Sequence, residues 1–165
     1  MLGKLVVLGI DPGTIVTGLG VVALDGKGMR ALWWGSVRTS PNAPLAQRLT
    51  QIHAEIVTQI GRFHPDHVAV ENVFQAKNVG AALKLGHARG VALLAAAAAG
   101  LPIYEYAPRE VKKSVVGIGS ATKEQVASMV DRLLGLGGVE IREDESDAVA
   151  VAVCHIHKTA RVAVA

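Results

Sequence analysis

The chain has 165 residues, of which 50% are hydrophobic and 19% charged, a composition typical of one compact domain spanning residues 1–165. It contains a single cysteine, Cys154, which excludes an intrachain disulfide and a metal site built on paired thiolates. The formal net charge is only +3, but the sequence pI near 9.2 favours a polyanionic partner, although a basic protein without a nucleic-acid partner remains an alternative.

The first third of the chain predicts three strands joined by short turns. They are Leu5–Asp11, Gly18–Leu24 and Ala31–Thr39, and such short connections favour an antiparallel meander. The apolar run Leu5–Ile10 is too short for the core of a signal peptide or for a membrane span. We therefore expect a cytoplasmic protein with no membrane partner.

Two helical crossovers follow the meander. Apolar residues at spacings of three and four predict a helix from Leu45 that ends at Gly61 and leads into a fourth strand, Val68–Glu71. A second helix, Ala81–Ala99, precedes a fifth strand, Pro102–Tyr106. Because a helical crossover joins parallel strands, we expect an α/β fold with a five-stranded mixed sheet of order 3-2-1-4-5, flanked by helices. This is the ribonuclease H-like layout.

The helix Ala81–Ala99 is apolar on almost every side. Gly86 and Gly90, four residues apart, permit close approach of another backbone. The helix could pack on its own sheet, on a second subunit, or on both. Further along the chain, Thr122 and Gln125 form a capping box that predicts a helix from Lys123 to Leu134, and a last helix is predicted from Asp144 to His157.

Four carboxylates lie where a fold would otherwise bury apolar groups. Asp11 closes the first strand, Glu71 closes the fourth, and Asp144 and Asp147 share one face at the start of the last helix. In the predicted strand order the first and fourth strands are neighbours, so Asp11 and Glu71 are brought together. Converging ionised carboxylates need a cation, and oxygen ligands without histidine or thiolate favour Mg²⁺, with Mn²⁺ as a substitute.

Two such ions per subunit would suit in-line hydrolysis of a phosphodiester, so the acids indicate a nuclease. Acids at a helix start also have a structural explanation, since they interact favourably with the helix dipole. Glu143 and Glu145 flank Asp144, and either could share or replace its role.

Basic residues frame these acids in two groups, and a solvated surface is the alternative explanation for each group. Phe74, three residues after Glu71, could stack on an unpaired base or belong to the core. The basic residues expected to contact DNA are Lys77, Lys84 and Arg89 after the fourth strand, and Lys112, Lys113 and Lys123 around the Gly117–Ser120 loop.

Two other motifs indicate less. The Gly117–Ser120 loop with Lys123 lacks the ending of a nucleotide-binding phosphate loop, because Glu124 follows the lysine. Cys154, His155 and His157 could suggest zinc, but one helix does not easily direct all three to one ion and no fourth ligand is evident.

Five sequence blocks between about Leu8 and His157 resemble the RuvC family of Holliday junction resolvases, so the resemblance covers nearly the whole chain. They are Gly9–Gly13 (GIDPG), Glu71–Asn78 (ENVFQAKN), Ala82–Val91 (ALKLGHARGV), Val115–Ala121 (VVGIGSA) and Asp144–Ala148 (DESDA).

The resemblance implies a homodimer that binds a four-way DNA junction, nicks two strands of like polarity symmetrically, and works with the RuvA and RuvB branch-migration machine. It implies that Phe74 is the junction-side aromatic residue and that Lys112 and Lys123 lie near the scissile phosphate. It also implies that the metal-binding catalytic acids are Asp11, Glu71, Asp144 and Asp147.

Two other functions compete with resolution. Asp11–Thr14 also resembles the first phosphate motif of actin-like ATPases, but those proteins enclose a nucleotide between two such domains and this length supplies one. A nucleic-acid scaffold that kept the fold without the chemistry is the other, and the presence of all four carboxylates argues against it.

Overall fold

The computed structural model describes residues 4–72 and 77–162. Its strands are β1 (Leu5–Asp11), β2 (Val16–Asp25), β3 (Gly28–Arg38), β4 (His67–Glu71) and β5 (Ile103–Tyr106). They form one five-stranded sheet of order β3-β2-β1-β4-β5, which confirms the predicted topology. The pairs β1–β2 and β2–β3 are antiparallel, whereas β1–β4 and β4–β5 are parallel.

Helices cover both faces of the sheet. The helices are α1 (Leu45–Phe63), α2 (Val79–Ala98), α3 (Pro108–Val116), α4 (Lys123–Leu134) and α5 (Glu143–Val162). The side chains of β1 alternate between the two faces: Val6, Leu8 and Ile10 join the core under α1 and α2, while Val7 joins the core under α3, α4 and α5.

Two helix ends differ from the sequence-based prediction. Helix α1 continues past Gly61 to Phe63, so the predicted end was wrong. His64 then takes a left-handed conformation and donates its N–H to the Ile60 carbonyl at 2.9 Å, and Pro65 disfavours a further helical residue before it. Helix α5 likewise extends beyond the predicted His157.

Helix α3 was not predicted from the sequence. It begins at Pro108, a residue suited to the first turn, and Glu110 accepts a hydrogen bond from the Ala107 N–H at 2.9 Å. Val111 and Val115, four residues apart, bury its apolar side. Together these signals mark a short helix.

Glycines in β1 and β2 let α5 lie unusually close to the sheet. A Cβ atom added at Gly18 would be 1.9 Å from the Asp144 carbonyl oxygen, and one added at Gly9 would be 2.1 Å from the Ala148 carbonyl oxygen. Any side chain at either position would push the helix away. The start of α5 is therefore held over the carboxyl end of β1, where Asp11 pairs with Gly18.

Helix α2 is only partly covered by the described part of the chain. Ala88 and Ala92 are buried, but Val79, Leu83 and Leu94 are 77%, 60% and 61% exposed. By length and composition this helix could cross a membrane, a weak indication because core helices of soluble proteins share those properties. These three side chains leave an exposed apolar surface along the outer side of α2.

Candidate active site

Strand alternation directs Asp11 and Glu71 to the same face of the sheet. In β1, Val7 faces α5 and Asp11 lies four residues later, so it has the same orientation. In β4, Ala69 faces α5 and Glu71 lies two residues later. Ile10 pairs with Val70 in the parallel register, so the two acids that follow lie side by side, as predicted.

The Asp11 and Glu71 side chains are half-buried, and their carboxyl groups hydrogen-bond to each other. Burial, the nearby Glu71 charge and the donation of its proton to Glu71 raise the pKa of Asp11 well above its ordinary value. Burial also raises the pKa of Glu71, although the bond from Asp11 and the charges of Lys123 and Lys112 lower it. Two carboxylates this close cannot both ionise without a compensating cation.

Asp144 and Asp147 bring two more carboxylates to this pair from the start of α5. Both raise the pKa of Asp11, so all four acids share one electrostatic environment. Burial raises the pKa of Asp147, and Lys123, whose Nζ lies 3.6 Å from Asp147 Oδ2, partly offsets this. Asp144 Oδ2 accepts a hydrogen bond from Arg38 Nη2 at 3.0 Å.

The two glutamates that flank Asp144 have other partners. Glu145 is only 9% exposed, and its oxygens accept hydrogen bonds from Ser36 Oγ at 3.2 Å and from the Arg142 N–H at 3.2 Å. Glu143 is exposed and paired with Lys123. Asp144 is therefore better placed than Glu145 to join Asp11, while Glu143 reaches the site through Lys123.

The chemistry of the four acids fits a hard divalent cation. All the donors are carboxylate oxygens, and the raised pKa values of Asp11, Glu71 and Asp147 indicate that protein groups alone compensate the charge of these three poorly. Within residues 4–72 and 77–162, no group of three or more His, Cys, Asp or Glu side chains stands in an arrangement that could hold a metal ion. Instead, Asp11 bonds to Glu71, while Lys123 and Arg38 hold the α5 acids.

The predicted basic residues divide into two sets around this site. Lys123 and Lys112 act on the acids, since both lower the pKa of Glu71. Lys113, the next residue on α3, lines a separate cavity of about 490 Å³ with His157 and Lys158. The structure therefore brings Lys112 and Lys123 to the acids and directs Lys113 away from them.

The three basic residues predicted after β4 lie farther along α2 or before it. Lys77 and Lys84 are exposed. Arg89 is half-buried and makes a two-point ion pair with Glu105 of β5, with N–O distances of 2.5 and 2.8 Å. It lines a cavity of about 210 Å³ that also contacts Glu71. Phe74, the predicted stacking residue, lies outside the described residues.

Two side chains at the end of β3, Ser36 and Arg38, touch the α5 acids and were not singled out from the sequence. The alternation of side chains along β3 could have identified them, because Gly18 pairs with Ser36 and every second residue of β3 lies on the same face as Ser36. Assigning the face required the register of β3, which the sequence pattern alone does not fix.

The three residues that could suggest a zinc site, Cys154, His155 and His157, contact other protein groups instead. His155 is 1% exposed and contacts Tyr106 Oη at 2.7 Å and His67 Nδ1 at 2.8 Å. His157 Nδ1 contacts the Ser114 carbonyl at 3.1 Å, and Cys154 Sγ contacts the Glu110 carbonyl at 3.9 Å. The three side chains therefore have separate partners and do not converge.

Comparisons with known proteins agree with this arrangement. The family model "Crossover junction endodeoxyribonuclease RuvC" matches residues 7–155. The protein of that name from Pelotomaculum thermopropionicum is 46% identical over 153 residues, which cover 93% of each chain. The fold also matches Thermus thermophilus RuvC, with a TM-score of 0.88 and 42% identity, covering 96% of this chain and 97% of the other.

A second Thermus thermophilus structure holds RuvC in complex with a Holliday junction substrate. It matches with a TM-score of 0.90 and 41% identity, and covers 96% of both chains. The family match and the identity both extend over nearly all of the described residues, including the strands and the helix that carry the four acids. The chain belongs to the RuvC family of crossover junction endodeoxyribonucleases.

Proposed function

We propose that this protein, as one nuclease domain over residues 1–165, resolves four-way DNA junctions in recombination and repair. It nicks two strands of like polarity symmetrically. The observation that carries the proposal is the gathering of Asp11, Glu71, Asp144 and Asp147 at one end of the sheet in a chain of the RuvC family. A Thermus thermophilus relative of very similar structure was solved with a Holliday junction substrate.

The residues that would hold a divalent cation are Asp11, Glu71, Asp144 and Asp147. Mg²⁺, or Mn²⁺ in its place, supplies Lewis-acid stabilisation of the phosphodiester oxygens and activation of water when bound, and four carboxylates are enough ligands for two ions. Asp11 and Glu71 contribute a rigidly held pair because both end strands of the sheet. Asp144 and Asp147 contribute from a helix whose position is fixed by Gly9 and Gly18.

The lysines near the acids act on phosphate. Lys112 and Lys123 lie close enough to lower the pKa of Glu71, so a phosphate entering the site would meet both positive charges. Exposed Lys77 and Lys84, with Lys113 and Arg89, extend this basic surface to flanking phosphates. Phe74 is proposed to stack on a base exposed at the junction, as its position after Glu71 suggests.

A homodimer would supply two such sites for two strands. The exposed apolar side of α2, with Val79, Leu83 and Leu94, is the surface we propose for the partner subunit. Gly86 and Gly90 on the same helix have open space around their Cβ positions, which permits close approach of a second backbone. We further propose that the dimer works in the cytoplasm, with RuvA and RuvB as partners.

The proposal is tested with a synthetic four-way junction whose arms carry different end labels, incubated with Mg²⁺. We expect paired nicks at symmetric positions, and products that a ligase can seal. A linear duplex of the same sequence is the matched control and should be cut far less. Hydrolysis of ATP would instead support the actin-like function, and junction binding without nicks would support the scaffold.

A further inference from the structure

The end of β3 contacts the first turn of α5 at two points. Arg38 Nη2 donates to Asp144 Oδ2 at 3.0 Å, and Ser36 Oγ donates to Glu145 Oε1 at 3.2 Å. We infer that Arg38 is a positioning residue: it orients the Asp144 carboxylate through Oδ2 and leaves Oδ1 for the cation. This inference rests on the proposed function, because it assigns a role relative to that metal site.

The sheet dictates this contact. Gly18 of β2 pairs with Ser36 of β3, and the carbonyl of Asp144 is pressed against Gly18. The first turn of α5 therefore lies directly beside Ser36. Arg38, two residues further along β3, is on the same face and reaches the same helical turn.

The Arg38–Asp144 ion pair is too exposed to contribute much to folding stability. The two side chains are 48% and 36% exposed, and ion pairs with that much exposure contribute little to folding. In the described part of the chain, Arg38 provides the one hydrogen bond that the Asp144 carboxylate accepts. Without it the carboxylate would be free to rotate, and a ligand that must be ordered binds its ion more weakly.

The neighbouring Glu145 shows the opposite arrangement. Both of its oxygens accept hydrogen bonds, from Ser36 and from the Arg142 N–H, and the side chain is buried. Glu145 thus anchors the helix start, whereas Asp144 keeps one oxygen uncommitted. The sequence left open which of Asp144 and Glu145 is the metal ligand, and the contacts from β3 distinguish the two acids.

The test measures binding of Mn²⁺ to the full-length protein without DNA, from the electron paramagnetic resonance signal of the free ion. We expect Arg38→Gln to weaken Mn²⁺ binding by about 10-fold or more, the loss typical of removing a group that orients a metal ligand. Arg38→Lys should recover part of the affinity. The matched control is Arg30→Gln, because Arg30 lies on the same strand as Arg38, near its opposite end, and forms an ion pair there with Asp25 of β2.

A double-mutant cycle asks whether Arg38 acts through Asp144. In an Asp144→Asn background, Arg38→Gln should cause no further loss of Mn²⁺ affinity. An equal loss in that background, or a loss of the same size in Arg30→Gln, would overturn the inference. So would unchanged or tighter binding in Arg38→Gln, since Arg38 would then merely compete with the ion.

Failure of the proposed function would look different. If the wild-type protein bound no Mn²⁺, the metal site itself would be wrong, and the role of Arg38 would fall with it. Thermal melting of each variant accompanies the binding data. Equal melting temperatures with unequal Mn²⁺ affinities would support positioning rather than damage to the fold.

Discussion

The two sheet-borne acids and the two helix-borne acids solve the same electrostatic problem differently. Asp11 and Glu71 are half-buried at the ends of adjacent strands, and desolvation is the main cause that raises the pKa of each. Asp144 and Asp147 lie nearer to solvent at a helix start, and each has a cationic partner, Arg38 or Lys123. Salt bridges thus compensate the helix pair in part, although burial still raises the pKa of Asp147, whereas the strand pair is compensated less.

This difference suggests a division of labour in cation binding. Among residues 4–72 and 77–162, neither strand acid has a salt-bridge partner, unlike Asp144 and Asp147, so an ion would stabilise the strand acids most. The helix acids are held in place by groups that could also contact a phosphate. Changes to the strand pair should therefore affect chemistry most strongly, and changes around the helix pair should affect positioning.

The largest expected effect is that of Asp11→Asn. Loss of this proposed metal ligand should lower junction cleavage by about 10³-fold or more, since metal stabilisation of the transition state is worth several kcal/mol. Junction binding should be largely kept, because phosphate contacts come from the basic residues. Single-turnover cleavage and gel-shift assays measure the two properties. The control is Asp25→Asn, because Asp25 lies at the end of β2 that is far from Asp11. Normal cleavage by Asp11→Asn would show that Asp11 does not belong to the site.

Lys123→Gln addresses the helix pair. Lys123 contacts Asp147 and lowers the pKa of Glu71, so its loss should reduce cleavage by about 10²-fold through a missing positive charge near the phosphate. The effect should be smaller than that of Asp11→Asn. Lys27→Gln, in the exposed turn between β2 and β3, is the matched control. Equal cleavage by the Lys123 and Lys27 variants would contradict the account.

A pair of glycine substitutions tests how the helix is placed. Gly18→Ala puts a methyl group against the Asp144 carbonyl and should lower the free energy of unfolding by about 1–3 kcal/mol. Gly61→Ala, in a helix with open space around the added atom, should instead stabilise by up to about 1 kcal/mol. Urea denaturation measures both. A neutral Gly18→Ala would mean that α5 is not held against the sheet.

The smallest effect concerns pH. Because the folded-state pKa of Asp11 is raised, its contribution to stability is fully present below about the ordinary value of 3.8 and is lost as pH rises through the raised pKa. With a chelator present, wild-type protein should lose more stability between pH 4 and pH 8 than Asp11→Asn does. We expect a difference of a few degrees, since 1 kcal/mol corresponds to about 2–4 °C at this size. Parallel melting curves with pH would refute the raised pKa.

Addition of Mg²⁺ sharpens the same experiment. The ion should raise the melting temperature of the wild-type protein at pH 8 and should have less effect on Asp11→Asn, because binding to the folded state alone stabilises it. Groups whose pKa is shifted by other partners, such as Glu110 beside Lys158, are common to both proteins and cancel in the comparison, whereas Glu71 interacts with Asp11 and belongs to the measured difference.

Long-range topology was the part of the fold most accessible from the sequence. Short turns and helical crossovers were enough to predict that Asp11 and Glu71 are neighbours, because strand order depends on connection type rather than on individual contacts. The capping box at Thr122 likewise predicted the start of α4 correctly. Helix α3 was missed because its nine residues supply only two buried apolar positions.

The contacts that complete the site were less accessible. Arg38 and Asp144 are 106 positions apart, and their contact depends on the register of β3 and on the approach of α5 at Gly18. Arg89 looked like a free basic residue, but Glu105 on β5 holds it through two hydrogen bonds. Such pairings follow from three-dimensional placement, which local patterns do not encode.

The central claim is that acids from β1, β4 and α5 form one cation site. A crystal of the protein soaked in Mn²⁺ and measured near the manganese absorption edge tests it most directly. The account predicts an anomalous peak in contact with Asp11, Glu71 and at least one of the α5 acids, Asp144 or Asp147. A manganese peak bound elsewhere, with no contact to Asp11 or Glu71, would contradict it.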